Sequence, residues 1–251
     1  MIDYASFAAT SVAEVKVIQD KFQRDYNLTW YEDWFYDQYT GLLTFTTSDK
    51  ELNFKYFNVG SFSEKSKTWK WSWANESTLD SIKGPARLIR EFGQQSNFPK
   101  FTDGLFESDE IEAWEFTAIA AKLSNGIGVY RPVGDDHLKI FLVITEYVDN
   151  EMARGIKDRY IECRDHDYAR RAFVCKHLLD RTTKVGFQEV FETVEGMQLS
   201  EDDDFQAWCD ECEAIRQKEG EWNDRSTAFA EMKLVCEHCY FEMKEFNLGS
   251  R

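Results

Sequence analysis

The chain has 251 residues, of which 43% are hydrophobic and 16% aromatic, and its formal net charge is −16. This apolar content excludes an intrinsically disordered chain and suffices for one large core or two smaller ones. The acidity disfavours binding to nucleic acid or to an anionic membrane, and it favours a basic protein partner. The best apolar run, at 139–148, has the length of a strand and not of a membrane span.

The first elements predicted along the chain are one helix and an antiparallel meander. Residues 11–25 have apolar side chains at helical spacing, with Ser11 as a candidate cap. Segments rich in aromatic residues follow and predict four strands, at 28–37, 41–47, 51–63 and 67–75. The short polar connections between these strands predict antiparallel pairing.

Helices and further strands complete this part of the chain. Helical spacing recurs at 79–95 and at 108–125, where Ser108 is the candidate cap of the second helix. Two more strands are predicted at 127–133 and 139–148. This order of elements indicates an α+β fold, an antiparallel sheet with helices packed on one face.

Three tryptophans alternate in the fourth predicted strand, at Trp69, Trp71 and Trp73. Alternation places all three indoles on one face of a strand. Their burial would contribute on the order of 10–20 kcal/mol, whereas stacking on nucleic acid is worth roughly 1–3 kcal/mol per base. We therefore interpret them as the buried side of the strand and not as a binding platform.

The pattern loosens near residue 150, so we predict an α+β domain over 1–150 and a cysteine-rich domain over 151–251. All six cysteines follow residue 160. The opening segment lacks a basic stretch followed by an apolar one, so we expect no signal peptide and a cytoplasmic location. Thiols stay reduced there, which favours metal binding over disulfides.

Two Cys-x-x-Cys pairs dominate the second domain. Cys209 and Cys212 are separated from Cys236 and Cys239 by 23 residues. Two such pairs complete the tetrahedral thiolate shell of a structural Zn²⁺. We therefore predict one zinc ion, bound by these four cysteines, that stabilises a small C-terminal domain.

Two other residues compete for places in that shell. Cys175 and His177 point to the same side if their segment is a strand, and they diverge by about 200° if it is a helix. The remaining alternative is a set of reduced cysteines buried as small hydrophobic residues. Cys163 has no partner at ligand spacing and is interpreted as such a buried thiol, and His137 and His166 as exposed turn residues.

No set of catalytic residues stands out. Four thiolates leave no open position for a catalytic water. A Gly-rich phosphate loop would have to precede a helix, but "GIGVYRPVG" at 126–134 precedes a strand, and no Gly-x-Ser-x-Gly occurs. We therefore expect no enzymatic activity, while an enzyme of unrecognised type and a zinc-stabilised adaptor stay open as alternatives.

The segments around the tryptophans carry a resemblance. "VGSFSEKSKTWKWSWANEST" at 59–78, with the flanking segment at 104–147, resembles an uncharacterised bacterial family of domains of unknown function marked by a Trp-x-Trp-x-Trp-Ala-Asn strand, over residues 5–148. The tail at 172–240 resembles a small Cys/His module of similar bacterial proteins. Such genes often neighbour polymorphic toxins, which implies an immunity protein that neutralises a toxin by occluding its active site. The resemblance supplies no catalytic residues.

A basic toxin domain encoded nearby is thus the expected partner, and neither nucleic acid nor a membrane is expected. The acidic residues that we expect to contact it are Asp202, Asp203, Asp204, Glu219, Glu221 and Asp224.

Overall fold

The computed structural model describes residues 3–132, 137–190 and 203–249. The chain divides into two compact units, Met1–Arg154 and Gly155–Arg251. The division lies close to the boundary predicted near residue 150. Among the described residues, none of the helices combines the length and the apolar character that crossing a bilayer requires.

The first unit consists of a sheet and several helices. Its strands are β1 (Asp33–Asp37), β2 (Leu42–Thr46), β3 (Glu51–Ser63), β4 (Thr68–Trp71), β5 (Leu105–Glu107), β6 (Gly128–Tyr130) and β7 (Leu138–Val148). Its helices are α1 (Tyr4–Tyr26), α2 (Asp80–Lys83), α3 (Arg87–Ser96), α4 (Pro99–Thr102) and α5 (Glu110–Leu123), and α6 (Asn150–Lys157) spans the division.

The long strand β3 is the centre of this sheet. Every pairing in the sheet is antiparallel, with β1 to β5 neighbouring each other in chain order. The other edge of β3 pairs with β7 from Asn53 to Ser63, and β7 also pairs with β6. This arrangement confirms the predicted α+β class with an antiparallel sheet.

Both faces of the sheet are covered at its middle. Residues 56–60 of β3 are buried without interruption, and neighbouring residues of a strand point to opposite faces. Helix α5 packs against β3 and β7, and α1 packs on α5. A second buried cluster joins Ile82 of the short α2 to Leu43 and Tyr56. The prediction of helices on one face thus describes only part of the packing.

The tryptophan prediction is confirmed for Trp69 and Trp71, which are 0% exposed. Their rings lie 5.3 Å apart and contact Phe116 of α5. Trp73 is different, because the pairing of β4 with β3 ends at Trp71, opposite Gly60. The chain then forms a 3-10 turn over Ser72–Ala74, and Trp73 is only partly buried.

Both predicted helix caps are wrong, by eight residues for α1 and by one residue for α5. Helix α1 begins after Asp3, whose carboxylate accepts a hydrogen bond from the Ser6 N–H at 3.1 Å. Ser11 lies inside the helix, where its hydroxyl donates to the Phe7 carbonyl. Helix α5 begins after Asp109 and not after Ser108, since a carboxylate near the helix start accepts the unpaired N–H groups well.

The second unit is built around the central strand β9. Its strands are β8 (Tyr160–Cys163), β9 (Asp167–Val174), β10 (Gln188–Glu189), β11 (Phe205–Trp208) and β12 (Lys233–Cys236), and its helices are α7 (Asp210–Glu219), α8 (Asp224–Ala230) and α9 (Glu237–Leu248). Strand β9 pairs in parallel with β11 and antiparallel with β8 and β12. The short β10 pairs antiparallel with β11.

Candidate metal centres

The second unit brings together two sets of four potential metal ligands. The first, called here the hairpin cluster, consists of Cys163, His166, Cys236 and Cys239. The second, called the buried cluster, consists of Cys175, His177, Cys209 and Cys212. Within each set the ligand atoms all lie within 4.8 Å of one another. Each set therefore offers three sulfurs and one imidazole nitrogen to a single ion.

The hairpin cluster joins a β-hairpin to a helix start. Cys163 ends β8 and His166 lies in the turn before β9, while Cys236 ends β12 and Cys239 lies in the first turn of α9. Nδ1 of His166 lies 3.4 Å from Sγ of both Cys236 and Cys239, and 3.7 Å from Sγ of Cys163. The Cys163 and Cys239 sulfurs are 3.8 Å apart.

The buried cluster lies where two parallel strands end. Cys175 follows β9, and His177 belongs to a 3-10 turn over Lys176–Leu179. Cys209 follows β11, and Cys212 lies in the first turn of α7. Nδ1 of His177 lies 3.3 Å from Sγ of Cys212 and 3.6 Å from Sγ of Cys209. The Cys209 N–H donates to Sγ of Cys175 at 3.3 Å.

These spacings fit a tetrahedral ion. With metal–sulfur bonds of about 2.3 Å and metal–nitrogen bonds of about 2.0 Å, the edges of a tetrahedron are about 3.8 Å between sulfurs and about 3.6 Å between sulfur and nitrogen. The sulfur–nitrogen distances of 3.3–3.7 Å and the sulfur–sulfur distance of 3.8 Å lie close to these values. Each cluster could therefore hold one tetrahedral ion.

The structure does not bring the four predicted cysteines into one shell, and strand direction is the reason. Strand β11 runs parallel to β9, so both end at the same side of the sheet and place Cys209 beside Cys175. Strand β12 runs antiparallel, and its last residue, Cys236, pairs with Arg171. Cys175 comes four positions after Arg171 in the chain, which is roughly 13 Å in an extended strand. The two Cys-x-x-Cys pairs are therefore assigned to different clusters.

Each pair is completed by one cysteine and one histidine from outside the four-cysteine set that the spacing predicts. Cys175 and His177, the predicted alternates, complete the buried cluster. Cys163 and His166, interpreted as a buried thiol and an exposed turn residue, complete the hairpin cluster. The spacing Cys163-x-x-His166 equals that of the two cysteine pairs, and this was the signal that could have identified them.

A carboxylate holds His166 on the side away from the sulfurs. Nε2 of His166 lies 3.0 Å from Oε1 of Glu242, and Oε2 of Glu242 accepts from Nη1 of Arg181 at 2.8 Å. A metal-binding histidine commonly donates its second ring N–H to such a carboxylate, which sets the tautomer and orients the ring. Glu242 thus directs the Nδ1 lone pair towards the three sulfurs.

The pKa values of the buried thiols differ strongly. The Cys175 thiol donates to the Cys209 sulfur and lowers the pKa of Cys209 to about 5, while the same contact raises the pKa of Cys175. Burial raises the pKa of Cys212 to about 12. Cys175 and Cys212 therefore keep their protons unless a cation lies beside them, because an unpaired buried charge is costly.

A buried carboxylate stabilises the start of α7 beside these ligands. Oε2 of Glu213 accepts from the Trp208 indole N–H at 2.7 Å, and Arg216 donates to both carboxylate oxygens at 2.6 and 2.8 Å. The Arg216 contact lowers the pKa of Glu213 to about 2. This network holds Trp208 at the end of β11 and Glu213 next to Cys212, so it positions the Cys209–Cys212 turn.

The predicted partner-binding acids differ in availability. Asp202 lies outside the described residues. Asp204 is paired with Arg171 at 2.9 Å, and Glu219 with Arg225 at 3.2 Å. The remaining three, which are exposed, are Asp203, Glu221 and Asp224.

Fold and site together define a two-unit protein, an α+β domain followed by a Cys/His domain with two candidate metal centres. Residues 5–147 match the family of unknown function DUF6882, and the chain belongs to that family. The match covers the α+β domain and ends before the first metal ligand. No curated protein and no solved structure matches the chain.

Proposed function

We propose that each cluster binds one zinc ion and that both ions are structural. The observation that carries this proposal is the presence of two complete sets of three sulfurs and one imidazole nitrogen at tetrahedral spacing. Zinc prefers this donor set and this geometry. A shell filled by four protein ligands leaves no position for a substrate or a catalytic water, so the ions act on folding and not on chemistry.

The positions of the ligands support a folding role. The ion of the hairpin cluster would tie the β8–β9 hairpin to the start of α9, and the ion of the buried cluster would tie the ends of β9 and β11 to the start of α7. Three cysteines of the buried cluster also belong to the hydrophobic core of this unit. A small unit whose core includes the ligands gains much of its stability from the metal.

The proposed activity is non-catalytic binding, in the cytoplasm, of a basic protein. The chain has 46 acidic against 30 basic residues, and this charge attracts a basic partner and accelerates the encounter. The resemblance to proteins found beside toxins makes a toxin domain the proposed partner. In this role the chain is an immunity protein, and its acidic surface occludes the active site of the toxin.

The loop between α7 and α8 is the most favourable contact surface. Glu221 is exposed in this loop, and Asp224 is exposed at the first residue of α8. The loop is held by the Asn223 side chain, which accepts from the Ser226 N–H at 3.1 Å, while the Ser226 hydroxyl accepts from the Asn223 N–H at 2.8 Å. Charges on a preorganised loop lose little conformational entropy on binding. Asp204 and Glu219 are less suited, since arginines of the same chain already pair with them.

Co-expression of the full chain with the basic toxin domain encoded by the neighbouring gene tests this proposal. We expect the two proteins to copurify, the complex to weaken with salt, and host growth to be rescued. Glu221→Lys should weaken the complex by about tenfold, because it reverses a contact charge. Glu245→Lys changes the net charge equally on the exposed side of α9 and should have little effect. If no complex forms at low salt and host growth is not rescued, the proposal is wrong.

A further inference from the structure

The first unit contains a cavity that the proposed function does not use. It has a volume of 450 Å³ and lies between α1, α5 and the edge strand β6. Its apolar surface comes from Val12 and Val15 of α1, Trp114 of α5 and Val129 of β6. Pockets for small molecules occupy roughly 300–1,000 Å³ and are mainly apolar with a few polar groups. The size and the lining therefore suit a small ligand with an apolar body.

The polar groups of this cavity are mostly hydrogen-bond donors. Oε1 of Gln19 accepts from the Val129 N–H at 2.9 Å, so its Nε2 is the side that can donate to a ligand. Lys16 is exposed and forms no ion pair within the described part of the chain. Nε of Arg131 lies 3.7 Å from Oε1 of Glu110, a long contact, and Glu110 also pairs with Lys139 at 2.5 Å.

The charge of the lining is opposite to that of the chain. The described residues that line the cavity include Lys16 and Arg131 and no carboxylate, although acidic residues outnumber basic ones by 46 to 30. Two cations and an amide donor around an apolar surface select a group that only accepts hydrogen bonds and carries negative charge. A carboxylate has both properties.

The edge of β6 is not available to a peptide strand at this point. The Val129 N–H is already bonded to Gln19, so adding a strand would require breaking that hydrogen bond. A neighbouring cavity of 280 Å³ shares Gln19, Gln23 and Tyr130 with the first, and its lining includes Asp33. This carboxylate disfavours a second anionic group there, so the charged end of a ligand belongs at Lys16 and Arg131.

We propose that this cavity binds a small amphipathic carboxylate, with its apolar body against Val12, Trp114 and Val129 and its carboxylate at Lys16 and Arg131. The site lies wholly within the DUF6882 domain and is independent of the metal clusters and of the acidic loop. Failure of the ligand proposal would therefore leave the toxin-binding proposal standing, and the reverse also holds.

Dye displacement on the full chain tests the proposal. The fluorescent anion anilinonaphthalene sulfonate reports occupancy of the cavity. Phenylbutyrate and phenylbutyramide, which has the same apolar body without the charge, are each titrated against the bound dye. We expect the acid to displace the dye at a concentration about tenfold lower than the amide, because the cations recognise its charge. Lys16→Glu should abolish this preference, and the variant should fold because Lys16 is exposed.

Two variants of α1 locate the site. Val12→Trp fills the cavity and should prevent dye binding, whereas Val17→Trp places the same side chain at a position that is 70% exposed and does not line it. Equal displacement by acid and amide would overturn the assigned ligand class. Equal dye binding by the two tryptophan variants would overturn the location. Unchanged preference in Lys16→Glu would overturn the assigned role of that cation.

Discussion

Glu242 and the three sulfurs of the hairpin cluster contact opposite nitrogens of His166. Oε1 of Glu242 lies 3.0 Å from Nε2, while Nδ1 lies 3.4 Å from the nearest sulfurs. Nη1 of Arg181 donates to Oε2 of Glu242 at 2.8 Å. Arg181 also follows the segment that supplies Cys175 and His177, so one stretch of chain contributes both to the buried cluster and to the support of His166.

Removal of the Glu242 carboxylate tests this support. Glu242→Ala leaves Nε2 of His166 without its acceptor, and we expect zinc affinity at the hairpin cluster to fall by about 10–100-fold. The buried cluster should keep its affinity in this variant. The control Glu245→Ala, which removes an exposed carboxylate from the same helix, should leave both affinities unchanged. A competition titration with a zinc chelator measures both sites. Identical affinities in the two variants would contradict the role of Glu242.

Separate ligand variants test the division into two centres. We expect the wild-type protein to bind about two zinc ions per chain, Cys239→Ser and Cys212→Ser to bind about one each, and the double variant to bind none. Elemental analysis of the purified proteins gives these ratios. If either single substitution released all the zinc, the four cysteines of the two pairs would share one shell and the division would be wrong.

Chelation should unfold only the second unit. The first unit has a core around Trp69 and Trp71 without metal ligands, whereas the core of the second includes Cys175, Cys209 and Cys212. We expect amide protection to disappear in β9 and β11 and to persist in β3 and β7, because the metal contributes to folding only where it binds. Hydrogen exchange with mass spectrometry, with and without chelator, distinguishes unfolding of the second unit alone from unfolding of both units. Loss of protection throughout would show that the first unit depends on the metal.

The contact between Gly60 and Trp69 should be intolerant of any side chain. A Cβ at Gly60 would lie 2.5 Å from the Trp69 ring and 2.6 Å from the Lys70 carbonyl oxygen. Gly60→Ala should therefore reduce the free energy of unfolding by about 1–3 kcal/mol. Gly84→Ala is the control, since a Cβ added at Gly84 would have no atom within 4 Å apart from those of its own residue and its chain neighbours. Urea denaturation followed by tryptophan fluorescence compares them. Equal stability would mean that the strand shifts without cost.

Elements with a strong local pattern were predictable. Strand β3 occupies the predicted range 51–63, and α5 and β7 lie within one or two residues of theirs. These segments carry their own signal, because alternation or helical spacing continues over their whole length. The helix starts were less predictable, since Asp3 and Ser11 are both suitable caps and only the packing of the N-terminal turn selects between them. Trp73 likewise lies outside β4, because the pairing of β4 with β3 ends at Trp71.

The metal ligands show the same division between local and long-range information. Spacing alone indicated Cys209, Cys212, Cys236 and Cys239 as candidate ligands, because a two-residue gap lets one turn direct both groups towards one ion. It could not identify which pairs meet. That depends on β11 running parallel and β12 antiparallel to β9, which carries one pair to each end of the central strand. Strand direction follows from the packing of the whole unit, and no short stretch of sequence contains it.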